Sequence, residues 1–215
     1  KPYLAVAFQW SKVEEVANYA DIEIAFKIAY AVGMVFAGRF IDKMGTKIGY
    51  ALATVLWSVA AVVHAFATGT SGFAAARVFL GVTEAGNFPA AIKATAEWFP
   101  KKERPLATTL FNSGANIGAL AAPLIVPALA FSIGWRGTFV VAGIAGLVWV
   151  VFWIFLYEIP SRTAKLGAAE RAYIESDNDS QVSTDAPMPW LQIIRLRQTW
   201  AYLFSRILKS SIKRV

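Results

Sequence analysis

The sequence predicts an all-α membrane protein, a compact bundle of antiparallel spanning helices, and three observations carry that expectation. Of its 215 residues, 57% are hydrophobic and only 16% charged, whereas soluble domains carry about 25% charged residues. Apolar stretches recur at the length that a bilayer demands, about 20 residues per crossing. The basic residues gather in alternate connections between those stretches, as the positive-inside rule requires of cytoplasmic loops.

Five stretches are long enough to cross: 21–40, 48–67, 72–99, 106–132 and 137–157. The first and second are joined by RFIDKMGTK, with Arg39, Lys43 and Lys47. The third and fourth are joined by PKKERP, with Lys101, Lys102 and Arg104. TGTSG carries no basic residue and SIGWR only Arg136, so these two connections face outward. Small residues on several helices, among them Gly33 with Gly38, Gly114 with Gly118 and Gly143 with Gly146, predict close backbone approach, because lipid supplies no hydrophobic drive between helices. Trp57, Trp98, Trp135 and Tyr157 fit interfacial belts.

Residues 158–198 are polar and basic, and they read as a cytoplasmic connector containing two surface helices, AAERAYIES and WLQIIRLRQ, separated by a Ser, Asp and Pro rich stretch around 177–189. Trp200 to Leu208 starts a further apolar run that stops at KSSIKRV. Residues 1–16 are too short to span. The expected organisation is therefore an altered or truncated first helix over 1–16, a transmembrane bundle over 17–157, the central loop over 158–198, and an aborted helix with a basic tail over 199–215.

The formal charge of +7 does not point to nucleic acid, since the basic residues fall between apolar stretches and form no amphipathic face. Without cysteine and with one histidine, His64, no thiolate or histidine metal site can be assembled. No arrangement of nucleophile, base and oxyanion donors is present, nor any phosphate-cradling glycine loop. Neither an enzyme nor a cofactor is expected.

The loop GRFIDKMGTKIGY resembles the signature between the second and third helices of the major facilitator superfamily, through Gly38, Asp42, Lys43, Gly45 and Lys47. In a gate, Gly38 would let two helices approach, Gly45 allows a tight turn, and Asp42 can pair with a base or cap a helix N-terminus. RVFLGVTEAGNFPAAIKATAEWFPKKER is similar to the fourth helix and following loop of the superfamily's anion:cation symporters, most of all bacterial hexuronate and sugar-acid permeases, through Arg77, Glu84, Phe88, Pro89, Glu97, Trp98, Phe99, Pro100, Glu103 and Arg104. DKMGTKIGYA, FNSGANIGA and GWRGTF extend the likeness. It implies part of the N-terminal six-helix bundle, with helices two to six present, a C-terminal half bundle as the missing partner, and residence as a multi-pass protein in the bacterial inner membrane. It also implies proton-coupled symport of a small organic anion.

A charge at the centre of a membrane helix costs about 2.5–3.5 kcal/mol on insertion scales. Arg77 and Glu84 are seven residues apart, about 10 Å along one helix face, with Gly81 between them as an expected gap in a polar cavity. Arg77 can hold a carboxylate by two parallel hydrogen bonds. Glu84 is the expected proton carrier, its protonation releasing Arg77 from a competing anion; the alternative is a pair that only orients the helix. Tyr30, Asn112, Ser113 and Asn116 are candidates for binding sugar hydroxyls, or else interhelical hydrogen bonds. Pro89, beside Asn87, is expected to kink its helix. Lys27 is expected to snorkel, Lys93 and Glu97 to pair at i and i+4, and His64 to make a polar contact near the outer end of its helix. Two other readings stay open: antiport, against which SGANIGALAAP matches the antiporter pattern poorly, and a non-transporting or inactive truncated membrane protein.

Overall fold

A computed structural model describes residues 2–163, 166–176, 195–197 and 200, and every described element is helical. The chain divides into two compact units, Lys1–Asp177 and Asn178–Val215, and the helices below all lie in the first. WLQIIRLRQ, the run after Trp200 and the basic tail lie outside the described residues, apart from 195–197 and Trp200 itself.

In order, α1 (Pro2–Ala7) is followed by α2 (Lys12–Met44), α3 (Thr46–Val63) with a 3-10 turn at His64–Phe66, α4 (Thr70–Glu84), α5 (Asn87–Trp98), α6 (Arg104–Leu156) and α7 (Ala168–Glu175). α2 begins nine residues before the predicted stretch. Ser11 caps it: its hydroxyl accepts from the Glu14 backbone, while the Glu14 carboxylate accepts from the Ser11 backbone at 2.8 Å, and the same bond holds the Glu14 carboxyl below its ordinary pKa. At 1.5 Å per residue, a helix of 33 residues spans about 50 Å, more than the ~30 Å hydrocarbon core, so its polar first turns stand outside the bilayer.

α6 has 53 residues, about 80 Å if straight. Gly134, at φ 76° and ψ 164°, interrupts it, and both ends return to the same place. Arg104 donates to the carbonyls of Ala96 (2.9 Å) and Phe99 (3.0 Å), while the Trp98 indole donates to the carbonyl of Glu158 at 3.1 Å. α6 is therefore two crossings folded back at Gly134, matching the predicted pair of helices with SIGWR at their turn.

The core is made of small side chains. Ala29, Ala37, Ala51, Ala53, Ala60, Ala61, Ala76, Ala85 and Ala90 are buried, while Ile28, Phe36, Leu120, Leu124, Phe131, Phe155 and Leu156 are exposed. In water that distribution would be inverted; in lipid, small residues inside allow backbones to meet and large apolar ones outside face solvent of their own kind. α2 packs on α4, and α3 on α4 and on α6. A Cβ at Gly33 would stand 2.8 Å from the Val82 carbonyl oxygen, and one at Gly143 would stand 2.6 Å from that of Ser58. Gly38, Gly114 and Gly118 have nothing within 4 Å of such a Cβ. Of the expected pair, close approach is thus made at Gly33 and not at Gly38, five residues later. Trp57 is also displaced from expectation: it lies mid-way along α3, beside Gly146.

Candidate functional site

Glu84 is the last residue of α4, and α5 starts at Asn87. Pro89 explains the break. It has no N–H to give the Ala85 carbonyl, and its ring crowds that carbonyl, so the predicted kink falls immediately after the acidic side chain. The 29 residues from Thr70 to Trp98 put Glu84 at the middle of the crossing and Arg77 about 10 Å further out.

Where a gap was expected, α2 fills it. A Cβ at Gly81 would stand 2.6 Å from the Phe26 carbonyl oxygen, 3.0 Å from the Tyr30 nitrogen and 3.1 Å from the Ala29 Cβ. Gly81 is therefore the crossing point of α2 and α4, and α2 backbone packs against the position between Arg77 and Glu84. Instead the two charged groups stand on either shoulder of that crossing, each half-buried. The Arg77 guanidinium lies 6.0 Å from the Phe26 ring centroid, 5.5 Å from that of Phe73 and 5.9 Å from that of Phe139. Among the described residues no carboxylate comes within ion-pairing distance of it, and its Nε is buried without a hydrogen-bond partner. Glu84 follows Gly81 by three residues, and Tyr30 meets the same crossing from α2. Ring contacts, including Phe26 to Tyr30 at 6.1 Å, complete the wall.

Tyr30 thus lies on the α2 side of this crossing. Asn112, Ser113 and Asn116 do not join them by any hydrogen bond among the described residues. They lie on the sparsely covered first half of α6, and the Ser113 hydroxyl is spent on the Thr109 carbonyl at 2.9 Å. Tyr19, Glu23 and Phe26 were not proposed from sequence as site residues; the Phe26 ring is one of the three around the Arg77 guanidinium. With Tyr30 they form the stripe 19, 23, 26, 30, spaced as one helix face, which was the available signal.

At the outer end, Phe8 and Trp10 join Phe73, Trp135 and Phe139 in an aromatic cluster, and the Trp10 indole donates to Thr70 at 2.7 Å. His64 stacks on Phe139 at 4.6 Å with its Nδ1 on the Ala60 carbonyl at 2.7 Å; its Nε2 is buried without a partner.

The opposite end carries the motif loop. Gly45, at φ 76°, takes the left-handed conformation that glycine accepts most readily and turns α2 into α3. Lys93 Nζ pairs with Asp42 at 2.8 Å and Lys47 Nζ with Glu158 at 2.8 Å. That second bond holds the Glu158 carboxyl below its ordinary range. Glu97 accepts from the hydroxyls of Thr46 and Tyr157. The expected pair of Lys93 with Glu97 is not formed, because each finds a better placed partner on another helix. Lys43 and Lys27 are exposed.

An all-helical bundle with a small-residue core, an apolar exposed surface and helices long and apolar enough to cross a bilayer defines a multi-pass membrane protein. The chain belongs to the Major Facilitator Superfamily, whose family model matches residues 1–211. It is 39% identical over 193 residues to the hexuronate transporter of Escherichia coli (strain K12), covering 89% of this chain and 45% of that one. It is 36% identical over 193 residues to the galacturonate transporter of Dickeya chrysanthemi, covering 89% and 56%, and 33% identical over 165 residues to the D-galactonate transporter of Escherichia coli O6:H1, covering 76% and 38%. The chain spans about half the length of the curated relatives it matches.

Proposed function

We propose that the chain provides the anion- and proton-binding half bundle of a proton-coupled symporter for a hexuronate or similar sugar acid, in the inner membrane of a bacterium. The unpaired Arg77 carries this reading. A half-buried guanidinium without a carboxylate partner among the described residues is expensive in a membrane, and a substrate carboxylate would complete it through two parallel hydrogen bonds. Glu84, seven residues deeper, is the proton carrier; protonated, it no longer competes with substrate for Arg77. Tyr30 adds a hydroxyl for a sugar, and the loop from Gly38 to Lys47, locked by Asp42 to Lys93 and Lys47 to Glu158, is the inner gate. Alternating access would then come from rocking this bundle against a second one. The names of the relatives supply the substrate class.

The test is binding of D-galacturonate to purified protein by calorimetry. Arg77→Lys keeps the charge and loses the fork, so affinity should fall by about tenfold or more while the melting temperature holds. Unchanged affinity would remove Arg77 from the site.

A further inference from the structure

The break between α4 and α5 is held from two sides. On α2, a Cβ at Gly33 would stand 2.9 Å from the Ala85 Cβ; on α3, the Ala53 Cβ lies 2.8 Å from where a Cβ of Gly86 would be. Next to Ala53, the buried Thr54 hydroxyl donates to the Asn87 Oδ1 at 3.2 Å, a bond it shares with the Tyr50 carbonyl at 3.0 Å. Pro89 has removed the helical hydrogen bond that would set the direction of the chain after Glu84. What sets it instead is contact with α2 at Ala85 and with α3 at Gly86 and Asn87.

We infer that Thr54 and Asn87 are positioning residues for Glu84: their bond fixes the α4 to α5 break and so the placing of the Glu84 carboxyl against Arg77 and Tyr30. This rests on the reading of Glu84 as proton carrier. On its own helix the charged neighbour of Glu84 is Arg77, two turns away; α2 brings Tyr30 to Gly81, one turn before Glu84, and carries the exposed Lys27; α3 contributes the uncharged Thr54, and the Lys93 cation of α5 is engaged with Asp42. Loosening the break therefore alters how strongly one cation and one phenol act on the carboxyl, which a pH profile registers and a purely structural bond would not.

The experiment measures D-galacturonate uptake against pH in proteoliposomes, with counterflow exchange as the measure of folded, substrate-binding protein. Thr54→Val and Asn87→Ala should each move the pH midpoint of uptake by about half a unit or more while exchange stays within about twofold. Thr54→Ser should restore the midpoint. The two variants cut the same bond from opposite ends, so failure of one to fold leaves the other to decide. Wild-type midpoints in the folded variants, with Glu84→Gln insensitive to pH, overturn the positioning role and leave that of Glu84 intact. A wild-type pH profile in Glu84→Gln removes the role of Glu84 and the positioning role with it.

Discussion

Gly81→Ala tests the crossing of α2 and α4 on which the site is built. The added Cβ would stand 2.6 Å from the Phe26 carbonyl oxygen and 3.0 Å from the Tyr30 nitrogen, against ordinary contacts of 3.4–4 Å. Both obstacles are backbone, so no side chain can swing aside, and α2 must retreat by roughly 0.8 Å or more. Overpacking of this kind costs about 1–3 kcal/mol, and the better helix propensity of alanine returns about 1 kcal/mol. Net destabilisation is therefore about 0–2 kcal/mol, a small fall in melting temperature in detergent. The retreat also carries Phe26 and Tyr30 away from Arg77 and Glu84. Misplacement by about 1 Å can cost 100-fold in rate, so initial uptake should fall by about 10- to 100-fold, far more than stability does. Gly114→Ala is the control, since its Cβ meets nothing within 4 Å, and its melting temperature should not fall. Wild-type uptake and melting in Gly81→Ala would refute the reasoning, for the two helices could then not be meeting at that residue.

Tyr157→Phe removes one of two hydroxyls from the half-buried Glu97 carboxylate and should lower stability by about 1.5–3 kcal/mol; a double-mutant cycle with Thr46→Val, read by thermal melting, should show coupling between them. Lys47→Met should change the acid side of the stability profile. A carboxyl whose folded pKa is lowered contributes stability that is complete above the unfolded value, about 4.3 for Glu, and is lost as pH falls through the folded value. Melting scans from neutral pH to pH 3 should show a smaller acid-induced loss in Lys47→Met, and identical slopes would show that Glu158 gains nothing from the pair. Trp10→Phe deletes the bond to Thr70 and should cost about 1 kcal/mol, with faster hydrogen exchange over residues 2–10 as the local readout.

The crossings were legible because lipid imposes one length and one polarity on each, and because Arg39, Lys43 and Lys47, with Lys101, Lys102 and Arg104, mark one side of the membrane. Pro89 announced its break through a missing N–H, a property of the residue alone. Pairings were another matter. Lys93 and Glu97 sit at a spacing that suits an ion pair on an isolated helix, yet Asp42, Thr46 and Tyr157 come from other helices and take them apart. Gly81 looked like the floor of a cavity between two charges, and Gly38 like a contact point. Which glycine meets a neighbouring backbone depends on the rotation of both helices, and the weak amphipathicity of lipid-embedded segments leaves that rotation almost unmarked in sequence. The stripe of Tyr19, Glu23, Phe26 and Tyr30 was readable by its spacing, but only the position of Arg77 gives it meaning.

The most direct measurement is proton movement driven by substrate. Proteoliposomes holding the protein, without any imposed gradient, should alkalinise a weakly buffered external medium when D-galacturonate is added, and Glu84→Gln should abolish the pH change while still exchanging labelled for unlabelled substrate. Substrate entry with no accompanying proton, or an undiminished pH change in Glu84→Gln, would contradict the coupling of Arg77 to Glu84.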